Sequence, residues 1–312
     1  MSVDFPMPAS AARPRLTPPR LAPGARVALV SPAGPLRGEE DVARAVANAR
    51  SFGWEPVVGA HALARRGYLA GSDAERARDL NDALRDPAVD AVWCLRGGYG
   101  AMRILDAVDY DALRARPRAL LGYSDITALH AAVARRCGLV SYHAPTARAE
   151  LTEFSRASLE LAVARGADPC GRAPEARVLR PGRAEGLLAG GNVALLAALA
   201  GTPYAPSFAG AVVVLEDIGE AVYRVDRMLR QLLLAGLFDG CRAIVFGHCT
   251  DCPEESDDGA RTLEEVVREL ADALAVPCLL GVPVGHIDDQ WTVPLGLRAH
   301  VDADARLVQV EC

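Results

Sequence analysis

Short apolar runs alternate through the first half of the chain with stretches whose apolar positions recur every three or four residues. RVALV (26–30) reads as a buried strand that ends in the loop SPAGP. In EEDVARAVANARSFG (39–53), Val42, Ala45, Val46 and Ala49 fall on one helical face and Gly53 is a stop signal. EPVVGA reads as a second strand, SDAERARDLNDALRD as a helix with Ser72 as N-cap, and VDAVWCL as a strand closing in RGGYG. A short helix follows. Then comes an apolar run ending at Gly122-Tyr123-Ser124-Asp125, the amphipathic stretch ITALHAAVARR, and the strand LVSYH. This rhythm predicts a parallel sheet covered by helices on both faces, a flavodoxin- or Rossmann-like α/β unit.

The texture changes at RGADPCGRAPEARVLRPGRAEG (165–186), where Pro, Gly and Arg dominate and periodicity vanishes. Beyond it, GNVALLAALAG reads as helix, AVVVLED as strand, AVYRVDRMLRQLLLAG as helix, CRAIVFG as strand, RTLEEVVRELADAL as helix and PCLLGVPVG as strand. The tail TVPLGLRAHVDADARLVQV alternates like paired strands joined near Asp302-Ala303-Asp304. The organisation predicted is an N-terminal arm (1–23), an α/β domain (24–165), a linker (166–185) and a smaller mixed β/α domain (186–312).

Composition narrows the function classes. With 51% hydrophobic and 24% charged residues and a net charge of -6, the 312-residue chain reads as a globular protein. Its arginines are scattered among acids, which argues against nucleic acid as a partner. No apolar run has the length of a membrane span, and the Pro/Arg-rich arm lacks the apolar core of a secretory signal, so a cytoplasmic location is expected. The eight cysteines sit largely in apolar runs, as small hydrophobes do, and a reduced compartment fits them.

Ligands of open parallel sheets sit beyond the carboxyl ends of the strands, so chemistry is sought in the loops there. RGGYG has the glycines of an anion-binding or oxyanion-binding turn, but neither dinucleotide nor Walker spacing, and taken alone it reads first as a plain tight strand-to-helix turn. GYSD outlines a nucleophile elbow around Ser124, with Ile126 where a second glycine would stand. The competing reading makes Ser124 or Asp125 an N-cap of the following helix. His143, His248 and His286 follow strands and could serve a serine as base. Glu216 ends a buried run, with Asp217 and Glu220 as rival carboxylates. Cys249-Thr250-Asp251-Cys252 lacks the second pair that a structural zinc site needs, and an acidic loop rather than a helix follows it.

The blocks VSPAGP, CLRGGYGAMRILDAVDY, LLGYSDITALH, GLLAGGNVALLAALAGTPY, VVLEDIGEAVYRVDRML, IVFGHCTDC and VPVGHIDDQWTVPLG, in this order from Val27 to Gly296, closely resemble the LD-carboxypeptidase family of serine peptidases. That family includes the muramoyl-tetrapeptide carboxypeptidases of peptidoglycan recycling and the microcin C self-immunity proteins. The resemblance implies a Ser-His-Glu triad falling on Ser124, His286 and Glu216, with backbone N–H groups of Gly98 and Asp125 as oxyanion hole. It implies a homodimer and no metal or cofactor. The expected reaction is release of the C-terminal D-alanine from a murein tetrapeptide, free or carried on a sugar or UDP-sugar. The alternative is a microcin-type amidase acting on peptidyl or aminoacyl nucleotides, for which Trp291 offers a stacking ring. A cation for the substrate carboxylate is expected at Arg96 or Arg224. His248 departs from the family pattern, which affects the expected pocket rather than the mechanism.

Overall fold

The computed structural model describes residues 16–253 and 261–312. The first half runs β1 (Arg26–Val30), α1 (Glu39–Ser51), β2 (Glu55–Val58), α2 (Asp73–Arg85), β3 (Ala91–Cys94), α3 (Tyr110–Ala115), β4 (Ala119–Gly122), α4 (Thr127–Cys137) and β5 (Ser141–His143). Next come α5 (Glu153–Glu160), β6 (Gly171–Arg172), β7 (Arg177–Arg180), β8 (Arg183–Asn192), α6 (Val193–Leu199) and β9 (Ala211–Ile218). The chain ends with α7 (Val222–Leu234), β10 (Ala243–Thr250), α8 (Leu263–Leu274), β11 (Cys278–Leu280), β12 (Val293–Leu295), β13 (Arg298–Asp302) and β14 (Leu307–Val310).

The strands form two sheets. In the first, ordered β12-β5-β4-β3-β1-β2, every pairing is parallel except β12 against β5. Successive residues of each strand feed opposite cores, as a period of two requires. Ala28, Val30, Val92, Cys94 and Leu120 pack with α2, α3 and α4, whereas Val27, Leu29, Ala91, Trp93 and Leu121 pack with α1 and α5. The second sheet, β6-β14-β13-β8-β9-β10-β11-β7, has a parallel centre from β8 to β11 and antiparallel margins. One face is covered by α6, α7 and α8, and the other by the segment carrying Val282, Val284, Trp291 and Val293. The two-sheet α/β architecture is the one expected from the sequence.

Two features depart from the periodicity reading. The 166–185 stretch carries β6, β7 and the start of β8 rather than a plain linker. The ten-residue β8 itself was masked by glycine. A Cβ on Gly190 would lie 1.9 Å from the Val214 carbonyl oxygen, so the close approach of β8 to β9 excludes a side chain. The TVPL segment, read as part of the C-terminal tail, supplies β12 to the edge of the first sheet (Val293 opposite His143). The two sheets are thereby joined just after the His286 loop.

Residues 1–15 of the expected arm and most of the acidic loop after Cys252 lie outside the described residues. The rest of the arm is tied down by Leu16 against Leu139 and by the Leu21 N–H on the Val163 carbonyl. Among the described residues, no helix is long and apolar enough to cross a membrane.

Candidate active site

Strand β4 is four residues long and completely buried, and its last residue, Gly122, is followed by Tyr123 and then by a single 3-10 turn over Ser124–Ile126. Ser124 has φ 64, in the left-handed region that a residue with a side chain adopts at a cost. Neither Ser124 nor Asp125 caps α4, since the N-cap residue is Ile126 and it makes no side-chain cap bond. Ile126 fills the space beneath the turn. A Cβ on Gly122 would meet its Cγ1 at 3.0 Å and the Cβ of Cys94 at 3.1 Å, so the glycine on the strand side makes room for a large residue after the serine.

The glycine loop packs directly behind this turn. A Cβ on Gly97 would lie 2.9 Å from Ser124 Cβ and 3.1 Å from its Oγ. Gly34 of the SPAGP loop donates its N–H to the Gly97 carbonyl at 2.9 Å. Asp125, 2% exposed, accepts the Ala101 N–H at 2.7 Å, which ties the far end of the glycine loop to the serine turn. Burial pushes its carboxyl up to about 6, against the pull of those N–H bonds and of Arg76. Gly98 is exposed with φ 103, and the Asp125 N–H belongs to a first turn, where amides lack intrahelical partners.

Arg76 was not singled out from the sequence. It is 1% exposed and donates to the Pro32 carbonyl at 2.5 Å and the Gly100 carbonyl at 2.8 Å, while also pairing with Asp73. One buried guanidinium thus clamps the SPAGP and RGGYG loops together. His130 turns back from α4 to the Gly122 carbonyl at 2.8 Å, just before the serine turn. Its other ring nitrogen faces Ser141 Oγ at 2.9 Å, and burial lowers the imidazole to about 4.

The second sheet settles which carboxylate meets which histidine. Val212, Val214 and Glu216 share one face of β9, and that face turns toward the segment carrying Val282, Val284 and Trp291. Glu216, 0% exposed, accepts from His286 Nδ1 at 2.9 Å. Gly285 lets the chain pass over the acid, since a Cβ there would lie 3.3 Å from Glu216 Cβ. Thr250 Oγ1 holds the His286 carbonyl at 3.0 Å. Asp217 points to the other face, where it accepts from Asn192 Nδ2 at 2.9 Å and the Ala194 N–H at 3.0 Å. Burial pushes Asp217 up to about 6. Glu220 pairs instead with Arg224 at 3.6 Å.

The pair reaches the serine turn through Tyr123, whose ring centroid is 4.7 Å from that of His286. Because Nδ1–H is committed to Glu216, the lone pair of the neutral imidazole lies on Nε2. Among the described residues, neither Nε2 nor Ser124 Oγ makes a hydrogen bond, and none joins the two. His143 is buried behind Tyr123, 5.8 Å between centroids, and burial lowers it to about 3, so it is held neutral. His248 is exposed at the end of β10.

Trp291 is 1% exposed and packed among Val282, Val284, Val293 and Leu295, so its ring fills the core and is not available for stacking on a base. Arg224 lies on α7, 56% exposed, and among the described residues no contact links it to Ser124. The two-sheet fold, with a strained serine turn at one strand end and a hydrogen-bonded histidine–glutamate pair at others, defines a class of α/β protein built around an elbow-like serine.

Residues 27–144 match the N-terminal domain of the LD-carboxypeptidases and residues 185–301 their C-terminal domain. The chain belongs to the LD-carboxypeptidase family. A Streptomyces coelicolor protein that its name assigns provisionally to the carboxypeptidases is 43% identical, over 94% of this chain and 95% of that one. The murein tetrapeptide carboxypeptidase of Pseudomonas aeruginosa is 37% identical, over 89% and 94%. Among solved structures, the muramoyltetrapeptide carboxypeptidase of Oxalobacter formigenes superposes with a TM-score of 0.79 at 29% identity, over 92% of this chain and 98% of that one. The microcin C7 self-immunity protein MccF with glutamyl sulfamoyl guanosine shares the fold, with a TM-score of 0.86 at 23% identity, over 96% and 99%.

Proposed function

We propose that this protein is a serine carboxypeptidase that releases the C-terminal D-amino acid, D-alanine in the reading favoured, from murein tetrapeptides. The observation that carries the reading is the 2.9 Å Glu216–His286 hydrogen bond beside the strained Ser124 turn, in a chain of this family.

In this mechanism His286 Nε2 takes the Ser124 proton as Oγ attacks the amide carbonyl between an L-centre and the terminal D-residue. The tetrahedral oxyanion is met by the N–H groups of Gly98 and Asp125, and one such donor is worth about 3 kcal/mol in hydrolases that use it. His286 then gives its proton to the leaving amine. A water, deprotonated by the same imidazole, attacks the acyl-serine ester, and the proton returns to Ser124 Oγ. Glu216 holds the imidazole in the tautomer with Nε2 free and stabilises its cationic form. Closure of the Ser124–His286 contact accompanies substrate binding, as it does where unliganded catalytic geometry is loose. A homodimer and a cytoplasmic location go with this reading.

The test is incubation with UDP-MurNAc-tetrapeptide while D-alanine release is followed. Turnover by the wild type and none by Ser124→Ala is expected, and full activity in that variant sinks the mechanism. A parallel incubation with an aminoacyl sulfamoyl adenosine examines the amidase alternative, for which buried Trp291 offers no stacking surface. Cleavage of that compound and not of the tetrapeptide would replace the carboxypeptidase reading.

A further inference from the structure

Three arginines from three separate loops, Arg65, Arg96 and Arg148, gather around Pro35-Leu36-Arg37 and the nearby Asp41, beyond the carboxyl ends of β1, β2, β3 and β5. Arg96, which opens the glycine loop, donates to the Pro35 carbonyl. Arg65, from the loop after β2, donates to the Leu36 carbonyl at 2.9 Å. Arg148, from the loop after β5, reaches Asp41 Oδ1 at 3.4 Å, and Asp41 Oδ2 accepts the backbone N–H of Arg37 at 2.9 Å. Among the described residues, Asp41 is the one carboxylate hydrogen-bonded to this group, and it is 3% exposed. Arg37, Arg65 and Arg148 thus all act on the charge of Arg96, with one buried carboxylate beside them, in a chain whose net charge is -6.

Such crowding is unfavourable unless something else neutralises it. Partial burial and the neighbouring Arg148, Arg37 and Arg65 draw the Arg96 guanidinium below its ordinary range, and only Asp41 among the leading influences pulls it back. Arg148 Nε is buried and has no hydrogen-bond partner among the described residues. Arg37 and Arg65 are exposed, so the cluster opens to solvent. Its other side is the serine turn. Gly97, next to Arg96, backs onto Ser124, and the Arg148 loop begins where the Ala144 N–H bonds the Gly122 carbonyl at 3.1 Å. The remaining candidate cation, Arg224, is already answered by Glu220 and lies against the exposed Tyr223 ring.

We infer that Arg96, Arg148, Arg37 and Arg65 form an anion subsite that anchors the free terminal carboxylate of the peptide cleaved at Ser124. The inference rests on the carboxypeptidase reading above and names the group that makes the enzyme act at a chain end. Guanidinium groups suit the task because they bind carboxylates through two parallel N–H donors. A substrate carboxylate would also restore the charge balance that Asp41 alone does not reach.

The test reads binding separately from turnover. Ser124→Ala protein is titrated calorimetrically with a murein tetrapeptide ending in a free carboxylate and with the same peptide ending in an amide. The acid is expected to bind on the order of tenfold tighter, since a charge-assisted hydrogen bond is worth about that factor. Adding Arg148→Gln, or the exposed Arg37→Gln, should bring the acid-to-amide ratio toward one. Arg114→Gln on α3, which removes the same charge elsewhere, should leave the ratio unchanged. Equal binding of acid and amide by the Ser124→Ala protein, or a ratio that the Arg148 and Arg37 variants leave intact, overturns the anchor. A wild type that shows the ratio in binding yet releases no D-alanine overturns the hydrolase reading and leaves the anchor standing.

Discussion

His286 Nδ1 and Glu216 Oε2, 70 residues apart in sequence, meet at 2.9 Å across the mouth of the second sheet. Glu216 is fully buried, and its Oε1 has no partner among the described residues, so the imidazole is the acid's main source of compensation. Glu216→Gln keeps the shape and loses the carboxylate that fixes the tautomer. We expect kcat to fall by roughly three to four orders of magnitude, by analogy with the same change in a serine protease triad. Thermal unfolding measured alongside should show the variant still folded. A loss of less than tenfold would remove Glu216 from the mechanism.

Ser124 carries backbone strain at φ 64. Ser124→Ala and Ser124→Gly both remove the nucleophile, but only glycine relieves the left-handed conformation, which costs about 1 kcal/mol with a Cβ present. Both variants should be inactive, and the glycine variant should unfold at higher denaturant than the alanine variant. The reverse order in urea titrations would show that the turn is not strained.

Gly97 has no room for a methyl group, with Ser124 Cβ 2.9 Å from where its Cβ would sit. Gly97→Ala should displace the serine turn and lower kcat/KM by at least about tenfold, as sub-ångström shifts at catalytic groups do. An unchanged kcat/KM in steady-state assays would mean that the loop and the turn move independently.

Acid should stabilise the fold through Asp125 and Asp217, both raised to about 6 by burial from 3.8 in the free residue. The native state holds these protons more tightly than the unfolded chain. Their contribution is therefore complete below about pH 4 and lost as pH rises through about 6. His130 and His143, lowered to about 4 and about 3, act in the opposite sense, so the wild-type profile alone mixes the two. The readout is the difference between wild type and Asp125→Asn. Relative to the variant, the wild type should lose up to about 3 kcal/mol of unfolding free energy between pH 4 and 6.5. A difference that stays flat over that window would refute the assignment to Asp125.

Much of this protein was legible before any tertiary contact. Period-two and period-3.6 patterns marked most of the buried strands and helices, because one-sided burial imposes those periods directly. The order of the loop motifs pointed to the family and to Ser124, Glu216 and His286. The strand β8 was hidden because its close approach to β9 selects glycine, which erases the side-chain pattern that announces a strand. Arg76 sat in a helix where an arginine ordinarily faces water, and nothing local marked it as the buried clamp of two loops. Trp291 looked like a pocket ring, yet the packing between the two sheets absorbed it.

The choice among Glu216, Asp217 and Glu220 lay in strand parity, which becomes a spatial fact only when one face of β9 meets the His286 segment and the other meets α6. The arginine cluster lay deeper still, since Arg37, Arg65, Arg96 and Arg148 come from distant loops. The sequence alone determined which segments bury a face and which residue types stand at their ends. Only the tertiary structure decided which of those ends meet, because contacts between distant loops depend on sheet order and on the side of the sheet each strand residue faces.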